Sequence, residues 1–204
     1  MPELPSEPIS PQQFMEEFIP ATLNEASLDA ETDVKLGVQI DGEGGGQWVL
    51  HISGGAFQIE QTAREEAAFT LVQTVEDWRG ALWEGRGGVF GQQASALLSG
   101  GIAGTEEAPP PNTKVMEQLA ALGGLIRITV TSGEGGDWST GFKLGPGELP
   151  AEPTTEIRIA AEDAEAMQSG SLDPMQAFMS GKIQVIGDMA LMMQMQAIAM
   201  QASS

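Results

Sequence analysis

One glycine-rich phrase occurs twice in this chain, and that repetition constrains its fold more than any other feature. Gly42-Glu-Gly-Gly-Gly-Gln-Trp48 recurs as Gly133-Glu-Gly-Gly-Asp-Trp138. Each copy follows a β-rich run (Val34–Ile40; Leu125–Thr131) and precedes another (Val49–Ser53; Ser139–Leu144). A glycine cluster between two such runs signals a hairpin. The parallel continues downstream. Ala68–Asp77 and Thr155–Asp163 both read as an alternating strand entering a helix at Glu-Asp, where acidic side chains meet free N–H groups and the helix dipole. Both helices are short and end at glycine, Gly85 and Gly170. Gln92–Gly100 then echoes Pro174–Gly181, and helix-like segments, Gln12–Glu25 and Thr113–Leu122, open the two halves. Helix, hairpin, strand, helix, helix is therefore written twice, which predicts a duplicated α+β fold.

The halves differ at their ends. After Gly181 the second half continues as an alternating strand, Lys182–Asp188, and a long helix from Met189 to about Ala202. The first half runs instead into Gly104-Thr-Glu-Glu-Ala-Pro-Pro-Pro-Asn112, whose three consecutive prolines favour an extended linker. The expected organisation is a disordered lead-in over 1–13, rich in Pro, Ser and Glu, a degenerate half over 14–103, a linker over 104–112 and a complete half over 113–204. A single composite unit in which the halves share one core is the alternative.

The chain resembles the sterol carrier protein 2 family, most specifically over Leu172–Gln196. That stretch carries Asp173-Pro174, Ala177-Phe178, Gly181-Lys182, a short strand, Gly187-Asp188-Met189 and a Leu- and Met-rich helix, in the family's order. Upstream, Trp138 after a glycine hairpin and Thr155–Asp163 leading to Met167 and Gly170 also sit where the family has them. The resemblance covers 113–202 well and 14–100 by pattern alone. It implies a mainly antiparallel five-stranded sheet covered by helices on one face. Between sheet and helices it implies an apolar tunnel for a fatty acid, fatty acyl-CoA or sterol-like lipid, with no catalytic residues. The tunnel residues it implies are Met175, Phe178, Met179, Ile183, Val185, Met189, Met192, Met193 and Met200, with Gln196 near the mouth or wall, where an amide can hold a head group; Gln196 reads equally as a surface amide. Of these, Phe178 also reads as plain core.

The residues themselves agree with an apolar site. The segment 189–201 is nearly free of charge, and eight of the eleven methionines fall between Met167 and Met200. Methionine is unbranched and polarizable, so it suits irregular or changing partners. Its stripe Met189/Met192/Met193/Met200 reads either as core or as the wall of a lipid tunnel. Burying about ten methylenes at ~0.8 kcal/mol each corresponds to ~8 kcal/mol, an affinity near micromolar before ordering costs.

Composition excludes several other functions. With 9 basic and 29 acidic residues the net charge is −20, which opposes nucleic acid and stable residence on anionic membrane. No apolar window is long enough to span a bilayer. No cysteine is present, removing disulfides, thiolate catalysis and Cys-based metal sites. The first residues lack a signal peptide's cationic start and apolar run, and the chain ends without a peroxisomal S-K-L address, so a cytoplasmic protein is expected. Asp41-Gly-Glu-Gly-Gly-Gly lacks the downstream features of a calcium or phosphate loop and reads as a hairpin turn. The clustered methionines lack histidine or cysteine companions for a copper site. His51, the only histidine, lies on a predicted strand, and no G-x-S-x-G nucleophile motif occurs. No cofactor or metal is expected. Trp78 and Trp83, with Leu82 between them, should anchor their helix in the first half's core or at its interface with the second. The expected function is a non-catalytic lipid carrier. The alternative is an interaction or homodimerisation module of the same fold whose tunnel is filled.

Overall fold

The computed structural model describes residues 4–23, 33–62, 66–96, 98 and 113–202. The proposed linker 104–112 lies outside them. A capping box opens the chain: Ser10 accepts from Gln13 N at 3.1 Å and Pro11 takes the first helical position. Helical turns follow as α1 (Pro11–Gln13), a π-helical turn (Phe14–Phe18) and α2 (Ile19–Leu23). The first half then supplies β1 (Asp33–Asp41), β2 (Gly46–Ser53), β3 (Ala56–Glu60), β4 (Phe69–Thr74), α3 (Val75–Trp83) and α4 (Gly88–Ala96). The second half supplies α5 (Thr113–Leu122), β5 (Gly124–Gly133), β6 (Gly136–Leu144), β7 (Thr155–Ala160), α6 (Ala161–Gln168), α7 (Pro174–Met179), β8 (Ile183–Gly187) and α8 (Met189–Ala202).

Both glycine phrases form hairpins, β1–β2 and β5–β6, and in each half the first strand pairs in parallel with the strand entering a helix, β1 with β4 and β5 with β7. The duplication is visible in these strands and in the helices that follow them. Strand β3 has no counterpart in the repeat. Its sequence signal is the Gly54-Gly55 turn (both at positive φ) followed by alternating Phe57 and Ile59.

The expected five-stranded sheet is corrected to one of eight strands, ordered β3-β2-β1-β4-β6-β5-β7-β8 and mostly antiparallel. The enlargement has a simple cause. In the second half β7 pairs antiparallel with β8; in the first half the same edge, on β4, is taken by β6. Likewise β2 carries β3 on its outer edge, while its counterpart β6 carries β4. Each half thus completes a five-stranded set with one strand of the other.

Packing crosses the same seam. Even-numbered residues of β1, β2, β5 and β6 and odd-numbered residues of β4, β7 and β8 share the helix-covered face, as strand alternation requires. The first half's cluster joins Phe14, Trp48, Leu50, Leu71 and Trp78 and takes in Met116 from α5. A second cluster joins Val130, Trp138, Ile159 and Ala164 and takes in Ala81 and Ala94 from α3 and α4. The helices of each half therefore cover strands of the other. Trp78 meets Phe14 (5.4 Å, 79°) and Trp83 (5.2 Å, 72°) edge to face, tying α3 to the N-terminal turns within the first half's core.

Asp77 is the polar fastening of the seam. Thr74 caps α3 by accepting from Asp77 N, while the buried Asp77 carboxylate accepts from Thr74 Oγ1, Ser139 N and Ser139 Oγ. Trp138 Nε1 donates to the Asp77 carbonyl at 2.8 Å. Gly87, at φ +84°, lies against the same indole, and an added Cβ would stand 2.6 Å from its ring.

Asp77→Ala should destabilise the chain by about 3 kcal/mol in urea unfolding, since it removes charge-assisted bonds and orphans buried donors. Gly87→Ala, which combines a left-handed backbone with a clash on Trp138, should cost about 2–4 kcal/mol. A fragment ending at residue 104 should show no cooperative melt, because the β4 edge and the apolar face beside it lose β6.

Candidate functional site

The segment that resembles a known family folds as a strand held between two helices. Asp173 caps α7 by accepting from Met175 N (2.9 Å) and Gln176 N (3.1 Å), with Pro174 at the first helical position. The helix ends where Lys182 N donates to Ala177 O and Gly181 turns at φ +75°. Strand β8 then runs antiparallel to β7. At its end Gly187 (φ +103°) passes so close to the Thr154 carbonyl that a side chain there has no room. Asp188 caps α8, accepting from Ala190 N at 2.8 Å, and Thr155 Oγ1 donates to the Asp188 carbonyl. The Gly-Asp-Met and Gly-Lys pairs thus shape turns. Lys182 forms an ion pair with the mostly buried Asp163 of α6, and that hydrogen bond holds its ammonium above the ordinary lysine value of 10.5.

Of the ten residues singled out from sequence, several face outward. Met175 is 59%, Phe178 43% and Met179 81% exposed; the buried residue of α7 is Ala177. A six-residue helix presents one narrow side to the sheet, and here a small side chain fills it, which corrects the core role expected for Phe178. On α8, Met189 and Met193 face solvent, while Leu191 and Ile198 are buried and Met192 and Met195 are partly so. The inward face of α8 is therefore rotated from the expected Met189/Met192/Met193/Met200 stripe. Ile183 and Val185 are partly buried on the helix-covered face of β8. Gln196 and Met200 belong to α8, and their side chains lie outside the described ones.

Beneath these elements the core of the second half is divided. Val130, Trp138 and Ile159 form one cluster under α4 and α6; Ile126, Leu144 and Leu191 form another under α5 and α8. Between them one row of residues crosses the sheet on the same face. Val185 pairs with Ile157, Ile157 with Ile128, and Ile128 with Thr140. Val72 pairs with Gly141, so Gln73 stands next to Thr140 across the β4–β6 seam. The outer members Val185, Ile157 and Ile128 remain partly exposed, whereas Thr140 and Gln73 are buried. The row is an apolar strip of the sheet with a polar inner end, and Ile157 within it also packs against the cluster of Ile126, Leu144 and Leu191. Four strand spacings separate β8 from β4, or about 19 Å, enough for a long hydrocarbon chain. Gln73 and Thr140 escaped sequence reasoning, although each is a polar residue at an inward position of an otherwise apolar alternation.

A separate cleft of about 540 Å³ is lined by Val72, Leu125, Arg127, Thr129, Ser139 and Pro150, and Gln73 also borders it. Strand alternation puts Val72, Leu125, Arg127, Thr129 and Ser139 on the face opposite the apolar row. His51 lies on β2 and pairs with Asp33 at 2.9 Å. Among the described residues, no cluster of three His, Cys, Asp or Glu could hold a metal, and no helix is long and apolar enough to cross a membrane.

Comparison with known proteins bears on this half of the chain. The SCP-2 sterol transfer family matches residues 106–200. Over 91 residues the chain is 37% identical to hydroxysteroid dehydrogenase-like protein 2 of Bos taurus, covering 42% of this chain and 22% of that protein. Over 92 residues it is 29% identical to sterol carrier protein 2 of Rattus norvegicus, covering 42% of this chain and 17% of that one. Among solved structures, palmitated SCP2L2 from Aedes aegypti is similar at 19% identity and a TM-score of 0.30, covering 41% of this chain and 90% of that one. The chain spans about a fifth of the length of the curated relatives it matches.

Lys182→Met should lower the melting temperature. The sign follows from the raised lysine value: its contribution is intact below 10.5 and is lost as pH rises through the folded-state value. The difference between wild type and variant should therefore hold steady from neutral pH upward and shrink only above 10.5, as thermal melts across alkaline pH would read.

Proposed function

Because residues 106–200 belong to the SCP-2 sterol transfer family, we propose that this chain is a non-catalytic binding and carrier protein for an apolar lipid, taken up between the sheet and helices α6 to α8. The observation that carries this reading is the divided core: Val185, Ile157 and Ile128 stay partly exposed on the helix-covered face, between two well-packed clusters. A fatty acid, fatty acyl-CoA or sterol-like molecule laid along that row would cover apolar surface that the protein leaves open. The elements that bracket the outer end add to it. Helix α7 contacts β8 and α8 contacts β7, and the two helices carry exposed Met175, Phe178, Met179, Met189 and Met193. Exposed apolar side chains grouped in this way mark a contact surface, and flexible thioethers adapt to chains of differing shape. Nothing in this reading requires a reacting group.

Native mass spectrometry of the purified chain should reveal a co-purified lipid. Delipidated protein should bind a fluorescent long-chain alcohol or sterol one to one, with a dissociation constant near micromolar. Val185→Glu, which puts a charge on the apolar row, should weaken that binding by about tenfold or more, while Met193→Glu on the outer surface of α8 should have a smaller effect. Folded protein that binds no member of several lipid classes would overturn the carrier reading and leave an interaction module.

A further inference from the structure

We infer that Gln73 and Thr140 hold the polar end of the lipid, and that this end is an uncharged hydroxyl-bearing head inserted first, with the hydrocarbon chain running back along Ile128, Ile157 and Val185. The inference rests on the carrier reading and deepens it by naming the head group and its partners. Gln73 is 4% exposed and Thr140 1% exposed, and neither the Gln73 amide atoms nor Thr140 Oγ1 has a hydrogen-bond partner. A glutamine amide offers two donors and an accepting oxygen, and a threonine hydroxyl offers one donor and accepting lone pairs. Such groups normally find partners when buried, because stripping them of water without replacement is unfavourable. Here the two unsatisfied side chains stand side by side at the inner end of an apolar row. They are thus placed where a ligand entering head first would meet them.

Other unpartnered atoms among the described residues, Arg86 Nε included, do not share this position. Thr70 Oγ1 lies on the opposite face against Gly37, where an added Cβ would stand 2.5 Å from it. Trp78 Nε1 belongs to the aromatic cluster with Phe14 and Trp83. The row from Ile40 and Gln73 to Val185 carries no charged residue. An ionised carboxylate at its inner end would be buried without a counter-ion along the row, whereas a hydroxyl can donate to the Gln73 carbonyl oxygen and accept from its NH₂ or from Thr140. Gln73 comes from the first half, outside the matched residues 106–200. The first half would then supply part of the ligand site as well as a scaffold.

The test compares cetyl alcohol with hexadecane, two probes of equal chain length that differ by one hydroxyl, on the full chain and on the Gln73→Leu/Thr140→Val variant. Wild type should prefer the alcohol by about tenfold, the equivalent of one or two net hydrogen bonds. The variant should bind hexadecane as wild type does and lose that preference. Its melting temperature should equal or exceed that of wild type, because the substitutions remove unsatisfied polar atoms and keep similar volume. An alcohol preference absent from wild type or retained by the variant overturns the inference while leaving the carrier reading intact. A lower melting temperature also overturns it, by showing that the two side chains serve the fold. If wild type binds neither probe, the carrier reading falls too.

Discussion

The antiparallel pairing of β4 with β6 is the constraint on which the rest of the structure depends. Backbone hydrogen bonds along this seam merge what would be two small sheets into one of eight strands. They also bring the polar residues of one half beside the apolar ones of the other. Asp77 and Trp138 reinforce the seam from above, with a carboxylate and a carbonyl from the first half answering donors from the second. Charge-assisted bonds of this kind are strong when buried. Their positions follow from the register, since Thr74 ends β4 and begins α3 where Ser139 passes on β6.

Much of the fold was legible because duplication wrote it twice. The two glycine phrases gave both hairpins, and Glu-Asp gave the starts of α3 and α6. Trp48, Trp78 and Trp138 are all nearly inaccessible, as core anchors should be. Strand sharing was not legible. Pattern within β4 says that it is a strand, but its far neighbour lies in the other half, and pairing between distant segments leaves no local mark. The short β3 was missed for a weaker reason: the repeat had no second copy to announce it.

The site was read less completely than the fold. Ile183 and Val185 alternate along β8 and lie partly buried on its helix-covered face. In α8, methionines occupy so many positions that composition could not fix which side faces the sheet, and the packed side proved to be Leu191 and Ile198 with Met192 and Met195 beside them. Phe178 was expected to pack against the closing helix from its place in the short helix before the last strand, but the buried residue of α7 is Ala177. Gln73 and Thr140 looked like ordinary polar interruptions until the register set them side by side.

Sharing strands also limits how the two copies can diverge. A residue on β4 or β6 answers to neighbours in both halves at once, so drift in one copy is checked by the other. The periphery, such as β3, has neighbours in one half alone across its strand edges, whereas β4 and β6 have them in both. A change at the middle of the sheet is thus felt on both sides of the β4–β6 seam.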